Sequence, residues 1–379
     1  MATSAHTPRR ASARSRLAAT AGAVAVVLLV GSGAAACSTR EPGPTPTSSA
    51  STGSTGSKAS TVGTASSVLD LPTGAALDGV PYGIGKRIFL NGSSYDLAAS
   101  WQRLTGQPGA EEFSDLDLVD GVVIWSIPLS AIDPLSSLGG FVPGQAPRSF
   151  AKVPSFPGIA TTSSGFLAVG LDGVYGGTVD ILTPAGTKYP PSYSSKHSMP
   201  SRVVSTSTGG QFVMADFDQR THGYTSALLE PGHQPVPLPD NTFGAGRGTG
   251  WIATATGADT TCYRTAAVSS PTALRARICS QRVPMVSDDG SKAVVVQGNR
   301  IRVLDTRTGS QVAVTSAPSL AAWDSTHGYW LEQWLDANTY LVNVRDGSTL
   351  ALLRCTASAG SCERVVTATV RTGVSRIVS

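Results

Sequence analysis

Seven times along this chain a glycine or an asparagine closes a short turn, and an apolar run follows at once. The anchors are Gly79, Gly121, Gly165, Gly210, Gly250, Gly290 and Asn338, spaced by 42, 44, 45, 40, 40 and 48 residues. A period of about 40 to 50 residues leaves room for about four short strands per unit. A four-stranded sheet of that size cannot bury both faces by itself, so the units must stack on one another. Composition agrees with this, because 41 Gly and 24 Pro in 379 residues demand frequent reversals. Only 14% of the residues are charged, which excludes a coiled coil or a long helical bundle. The expected fold class is all-β, a β-propeller of seven blades with four antiparallel strands each, over residues 68–379. A pair of β-sandwiches has a similar strand rhythm, but no change of composition divides the repeats.

The unit from Val283 to Pro318 carries the pattern most plainly. Ser287, Asp289 and Gly290 precede an apolar strand, and Gly298-Asn299 and Thr308-Gly309 are hairpin signals. Ile301, Val303, Leu304, Asp305, Thr308 and Gly309 complete the unit. In these residues the chain resembles the WD40-like and TolB-like propeller blades of bacterial envelope proteins. The resemblance gives Asp289 and Asp305 structural work at a turn and a strand end. A last strand near Thr367 to Val378 is expected to complete the first blade and clasp the ring, since a propeller must close to protect its edges.

The beginning of the chain is of another kind. Arg9, Arg10, Arg14 and Arg16 precede an uncharged apolar run from Leu17 to Val30, and small residues follow up to Ala34-Ala35-Ala36-Cys37. A basic region, an apolar core and a small-residue cleavage site in that order predict a signal peptide over residues 1–36. A retained membrane-spanning helix is the rival reading, because Leu17 to Ala36 has about the length needed to cross a bilayer. Ala34 to Cys37 resemble the lipobox of bacterial lipoproteins of the actinobacterial type, with Ala34 standing where Leu is usual. The resemblance implies that the leader is removed, that Cys37 is acylated, and that the protein is lipid-anchored at the extracytoplasmic face of the cell membrane.

Residues 37–67 are expected to form a disordered tether. Between Ser38 and Ser67, 16 of 30 residues are Ser or Thr and none is aromatic, too little apolar surface to offset the entropy of ordering. Random-coil scaling gives the tether a reach on the order of 30 Å. The leader holds four of the 29 basic residues and no acidic one, so the remainder has 25 of each sign. With no net charge, the phosphate-neutralising stripe of a nucleic-acid binder is not expected.

Cys262, Cys279, Cys355 and Cys362 are an even set in a chain with an export signal, which favours disulfides. Of three possible pairings, 262 with 279 and 355 with 362 suits the repeat, each pair bracketing a hairpin within one blade. A four-cysteine zinc site is disfavoured because the Cys-x-x-Cys spacing is missing.

Chemistry is harder to find. His197, His222, His233 and His327 each stand alone, outside zinc-protease and nucleophile-elbow patterns. Asp216-Phe217-Asp218 offers oxygen ligands if it lies in a loop and one shared face if it lies in a strand. Asp115, Asp117 and Asp120, alternating with Leu116 and Leu118, read as a solvated edge strand entering a turn. Trp323, Trp330 and Trp334 are either a ligand platform or filling between blades. No cofactor, metal or catalytic residue is expected. The expected role is a platform for an envelope protein or a small-molecule ligand. The rival is a propeller hydrolase, lactonase or sugar oxidoreductase, which requires several of Asp96, Glu112, Asp172, Asp216, His222 and His327 to converge at the central channel.

Overall fold

The computed structural model describes residues 63–105, 112–113, 115–128, 135–154, 158–161, 165, 167–171, 178–194, 199–205, 210–218, 223–247, 249–256, 262–319, 327–371 and 377–378. Cys37, His197, His222, Asp172 and Trp323 lie outside them, as do the leader and most of the expected tether. His327 begins a strand, but its side chain also lies outside the described set.

Seven four-stranded antiparallel sheets are present among the described residues. Blade 1 contains Tyr82–Ile84, Arg87–Leu90 and Ser93–Asp96, with Ile377–Val378 added on its inner edge. Blades 2 to 7 follow in chain order, and their innermost strands are Asp115–Val119, Gly158–Thr161, Met199–Ser205, Thr242–Gly244, Met285–Val286 and His327–Trp334. Six of the seven sequence anchors fall between the first and second strands of their blades, and Gly79 lies just before the second strand of blade 1. The repeat is thus one turn per blade, always at the same end of the sheet.

Burial explains why the blades stay together. Each of the seven buried apolar clusters among the described residues sits between consecutive blades. Along a second strand, alternate side chains serve opposite neighbours: Phe212 and Met214 pack toward blade 3, and Val213 packs toward blade 5. Period-two alternation therefore yields a strand apolar on both faces, which is how Lys292–Gln297 comes to read Ala-Val-Val-Val at its centre. Between blades 1 and 2 a short helix, Trp101–Thr105, supplies Trp101 and Leu104 to the same kind of cluster.

The turn of blade 6 shows the chemistry behind its Ser-x-Asp-Gly pattern. Asp289 Oδ1 accepts from Ser287 Oγ at 2.7 Å and from the Ser291 amide at 2.9 Å, while Ser287 Oγ accepts from the Lys292 amide at 3.1 Å. Asp305 Oδ1 accepts from the amides of Arg307 and Thr308 and from the Thr308 hydroxyl. Both aspartates are occupied in holding turns.

Ring closure is more compact than the sequence suggests. Cys362–Thr369 is the outer strand of blade 7, and only Ile377–Val378 completes blade 1, pairing with Gly83 and Ile84. Residues 65–74 add a strap on the outside. The Ala65 amide donates to Ser316 O, Ser67 caps the turn Val68–Asp70, and Val68 and Leu71 are buried between blades 6 and 7. The strap then runs beside Cys362–Thr369, where Arg364 Nε donates to Leu71 O at 2.8 Å.

Candidate functional site: the ring axis

The connection between Thr242–Gly244 and Trp251–Ala255 of blade 5 reads Ala245-Gly246-Arg247-Gly248-Thr249-Gly250. Glycines on both sides of the arginine remove the side chains that would keep this loop out of a narrow space. The loop turns inward, and Arg247 forms an isolated parallel bridge with Gln333 of blade 7. Its guanidinium then meets blade 2. Nη2 donates to Asp115 Oδ1 at 2.9 Å, Nη1 donates to Leu116 O at 3.0 Å, and Nη1 lies 3.5 Å from Asp117 Oδ2. Blades 5, 7 and 2 are not neighbours, so these contacts can be made only across the axis.

Thr161, on the innermost strand of blade 3, donates its hydroxyl to Asp117. The side chains of Arg247, Asp115 and Asp117 are 20%, 20% and 14% exposed. Burial works against the charge on Arg247, but Asp117, Asp115 and the nearby Glu332 outweigh it and raise its pKa above the ordinary value. A charged guanidinium closed in by three carboxylates has the chemistry of a lock.

Asp115–Val119 is an edge strand, as its alternation predicts, but the edge is the inner one and its carboxylates are engaged rather than solvated. Sequence reading missed Arg247 altogether. The signal available was a single charge within a glycine-rich hairpin connection, and nothing local links it to Asp115, 132 residues earlier.

Of the residues named for a catalytic site, the described ones, Asp96, Glu112 and Asp216, do not meet here. Asp96 closes the outer strand of blade 1 and pairs with Arg87 at 2.9 Å, exposed to solvent. Asp216 lies in the second strand of blade 4, 2% exposed, and its Oδ1 has no hydrogen-bond partner among the described residues. Glu112 immediately precedes the buried Phe113 of the cluster between blades 1 and 2. The Asp216-Phe217-Asp218 stretch is strand rather than loop, and no group of three His, Cys, Asp or Glu among the described residues is arranged to hold a metal ion.

Trp334 fills space between blades, its Nε1 donating to Met285 O at 3.1 Å, and Trp330 is half-buried beneath Arg282. His233 lies exposed in an outer loop of blade 4, where Tyr193 donates to its carbonyl. Both disulfides take the local pairing, Cys262 with Cys279 and Cys355 with Cys362, each joining directly opposed residues of one hairpin.

No protein-family model and no curated protein sequence matches the chain. Solved structures resemble it in fold. It is similar to Hsv2 of Kluyveromyces lactis, with 11% identity over 80% of this chain and 100% of that one and a TM-score of 0.48. It is similar to apo AztD from Citrobacter koseri, with 12% identity over 80% and 98% and a TM-score of 0.46. A TolB-like chain from Agrobacterium tumefaciens shares 13% identity over 64% and 93%, with a TM-score of 0.38. At such identities the likeness concerns fold alone.

Proposed function

We propose that this chain is an envelope lipoprotein, acylated at Cys37 and held at the extracytoplasmic face of the cell membrane, whose propeller is a protein-interaction platform. The observation that carries the reading is the locked axis. With Arg247 bound to Asp115 and Asp117 in the channel, the surfaces left for recognition are the two faces and the rim of the wheel. Loops held on a rigid scaffold suit that work. The leader, the Ala34 to Cys37 sequence and the Ser/Thr-rich stretch supply the address, and two cross-strand disulfides fit an oxidising compartment.

In-cell cross-linking of the tagged full chain, followed by mass spectrometry, tests this, with Cys37→Ala as the unacylated control. One reproducible partner near stoichiometric yield, lost in the control, is expected. A chain that stays membrane-bound without acylation, or that captures nothing, would overturn the reading.

A further inference from the structure

Beyond the leader, the 25 acidic and 25 basic residues are unevenly distributed. Residues 262–319, which make the two outer strands of blade 5 and the whole of blade 6, carry eight basic residues against three acidic. Residues 63–261 carry ten basic against sixteen acidic. The three acidic residues of the basic sector, Asp288, Asp289 and Asp305, offset part of this charge, with Asp289 and Asp305 acting on Arg275 and Asp305 on Arg307, and leave an excess of five positive charges.

Arg264, Arg277, Arg300 and Arg307 are exposed. Arg264 and Arg277 stand directly opposite one another on the outer strands of blade 5, an arrangement of like charges that destabilises a strand pair. Neither they nor Arg300 form an ion pair among the described residues. Blade 6 continues the field: the Ala276 amide donates to Thr306 O, and the charge of Arg307 helps lower the pKa of Arg275, whose burial acts in the same direction. A cluster of guanidiniums with a net positive charge on a rim has the chemistry to meet an anionic surface.

The position of the strap says which surface. The chain meets the ring at Ala65, whose amide is bonded to Ser316 just after the outer strand of blade 6, and the proposed acylation site, Cys37, stands 28 residues earlier in the sequence. The acidic sector of a second copy is a poorer fit, because its excess is spread over blades 1 to 4 and Asp115 and Asp117 are already bound to Arg247. We propose that the rim of blades 5 and 6 docks on anionic phospholipid, so that the wheel stands on its edge against the bilayer. This rests on the lipoprotein reading for the presence of a membrane, and on the arginines for the orientation.

The test uses the exported chain, residues 37–379 with Cys37→Ala, so that no acyl group contributes. Cosedimentation is measured with phosphatidylcholine vesicles, with and without about one third phosphatidylglycerol. Binding to the anionic vesicles alone is expected. It should fall at least about tenfold at high salt and in the triple variant Arg264→Glu, Arg277→Glu, Arg307→Glu, because surface attraction is carried by these charges and is screened by ions. The corresponding triple Lys variant should bind as the parent does, and the salt titration of the parent decides the matter if the Glu variant does not fold. Equal binding to neutral vesicles, or none to anionic ones, would overturn the proposal. So would self-association without vesicles that the Glu variant abolishes, which would make the partner a second copy. Acyl labelling of Cys37 in cells is read separately: an unlabelled chain that still binds anionic vesicles removes the anchor and leaves the rim, and a labelled chain that ignores them removes the rim alone.

Discussion

At Gly290 two demands meet on one residue. Its φ of 68° lies in the left-handed region, and a Cβ built there would fall inside the ring of Trp251. That indole is itself fixed, with Nε1 donating to Asp288 O at 3.0 Å and Arg275 stacked at 4.1 Å from the ring centroid. Gly290→Ala is therefore expected to lower the unfolding free energy by about 2 to 4 kcal/mol, from backbone strain and overpacking together. Denaturant titration reads this directly, and a loss under about 0.5 kcal/mol would mean that the indole has room to move.

The same turn predicts an acid response. Burial pushes the Asp289 pKa up, but hydrogen bonds from the Ser291 amide and from the Ser287 and Ser291 hydroxyls outweigh it and hold the carboxyl below its ordinary value. Asp305 is lowered in the same way by Thr308 and Arg307. A depressed carboxylate stabilises the fold above its unfolded pKa of about 3.9, and that contribution fades as pH falls through the lower folded value. Thermal midpoints should therefore drop more steeply below about pH 4 in the parent than in Asp289→Asn. Parallel curves would show that the turn bonds carry no linkage.

Among the elements, the hairpins were the most legible in the sequence. Gly298-Asn299 and Thr308-Gly309 fall between consecutive strands of blade 6 as their turn chemistry requires, and the local cysteine pairs fall on facing strands. What could be read was short-range. The alternation of Asp115 to Val119 identified a strand but not which edge of the sheet it occupied, because that depends on ring closure. The strap had a local signal in Ser67-Val68-Leu69-Asp70, a capping box. Its docking on blade 7 through Arg364, 293 residues from Leu71, had none.

The disulfides are the elements whose removal is easiest to grade. Loops of 17 and 7 residues correspond to about 3 and about 2.4 kcal/mol in the chain-entropy treatment. Replacing each pair by Ala should lower stability in that order, as seen by calorimetry without reductant. A larger loss from the 355–362 pair would assign its contribution to packing of the buried Cys355 rather than to loop closure.

On the scale of the whole molecule, seven blades must share one closed circle, and two very short segments close it. Ile377 is 1% exposed, and Asn343 of blade 7 donates to its carbonyl. Deleting residues 377–379 strips the inner strand from blade 1 and uncovers the seam with blade 7. The expected outcome is a lower thermal midpoint and loss of a single cooperative transition, since an opened ring exposes unpaired strand edges. An unchanged transition would make the outer strap at residues 65–74 the principal clasp. The number of blades and their order followed from the 43-residue rhythm, because every blade repeats the same turn. The axial lock did not, because it joins three blades that are distant along the chain.

On the proposed reading the axis locks the wheel while recognition occurs outside it, and Arg247→Met separates the two roles. Breaking a largely buried ion pair by removing one partner is expected to lower stability by about 3 kcal/mol, and adding Asp115→Asn and Asp117→Asn should restore most of it. The most direct measurement is partner capture by in-cell cross-linking with Arg247→Met and the parent, at a temperature where both are folded. Capture equal to the parent, alongside a reduced thermal midpoint, is the expected result. Lost capture with an unchanged midpoint would place the binding site on the axis and contradict the reading.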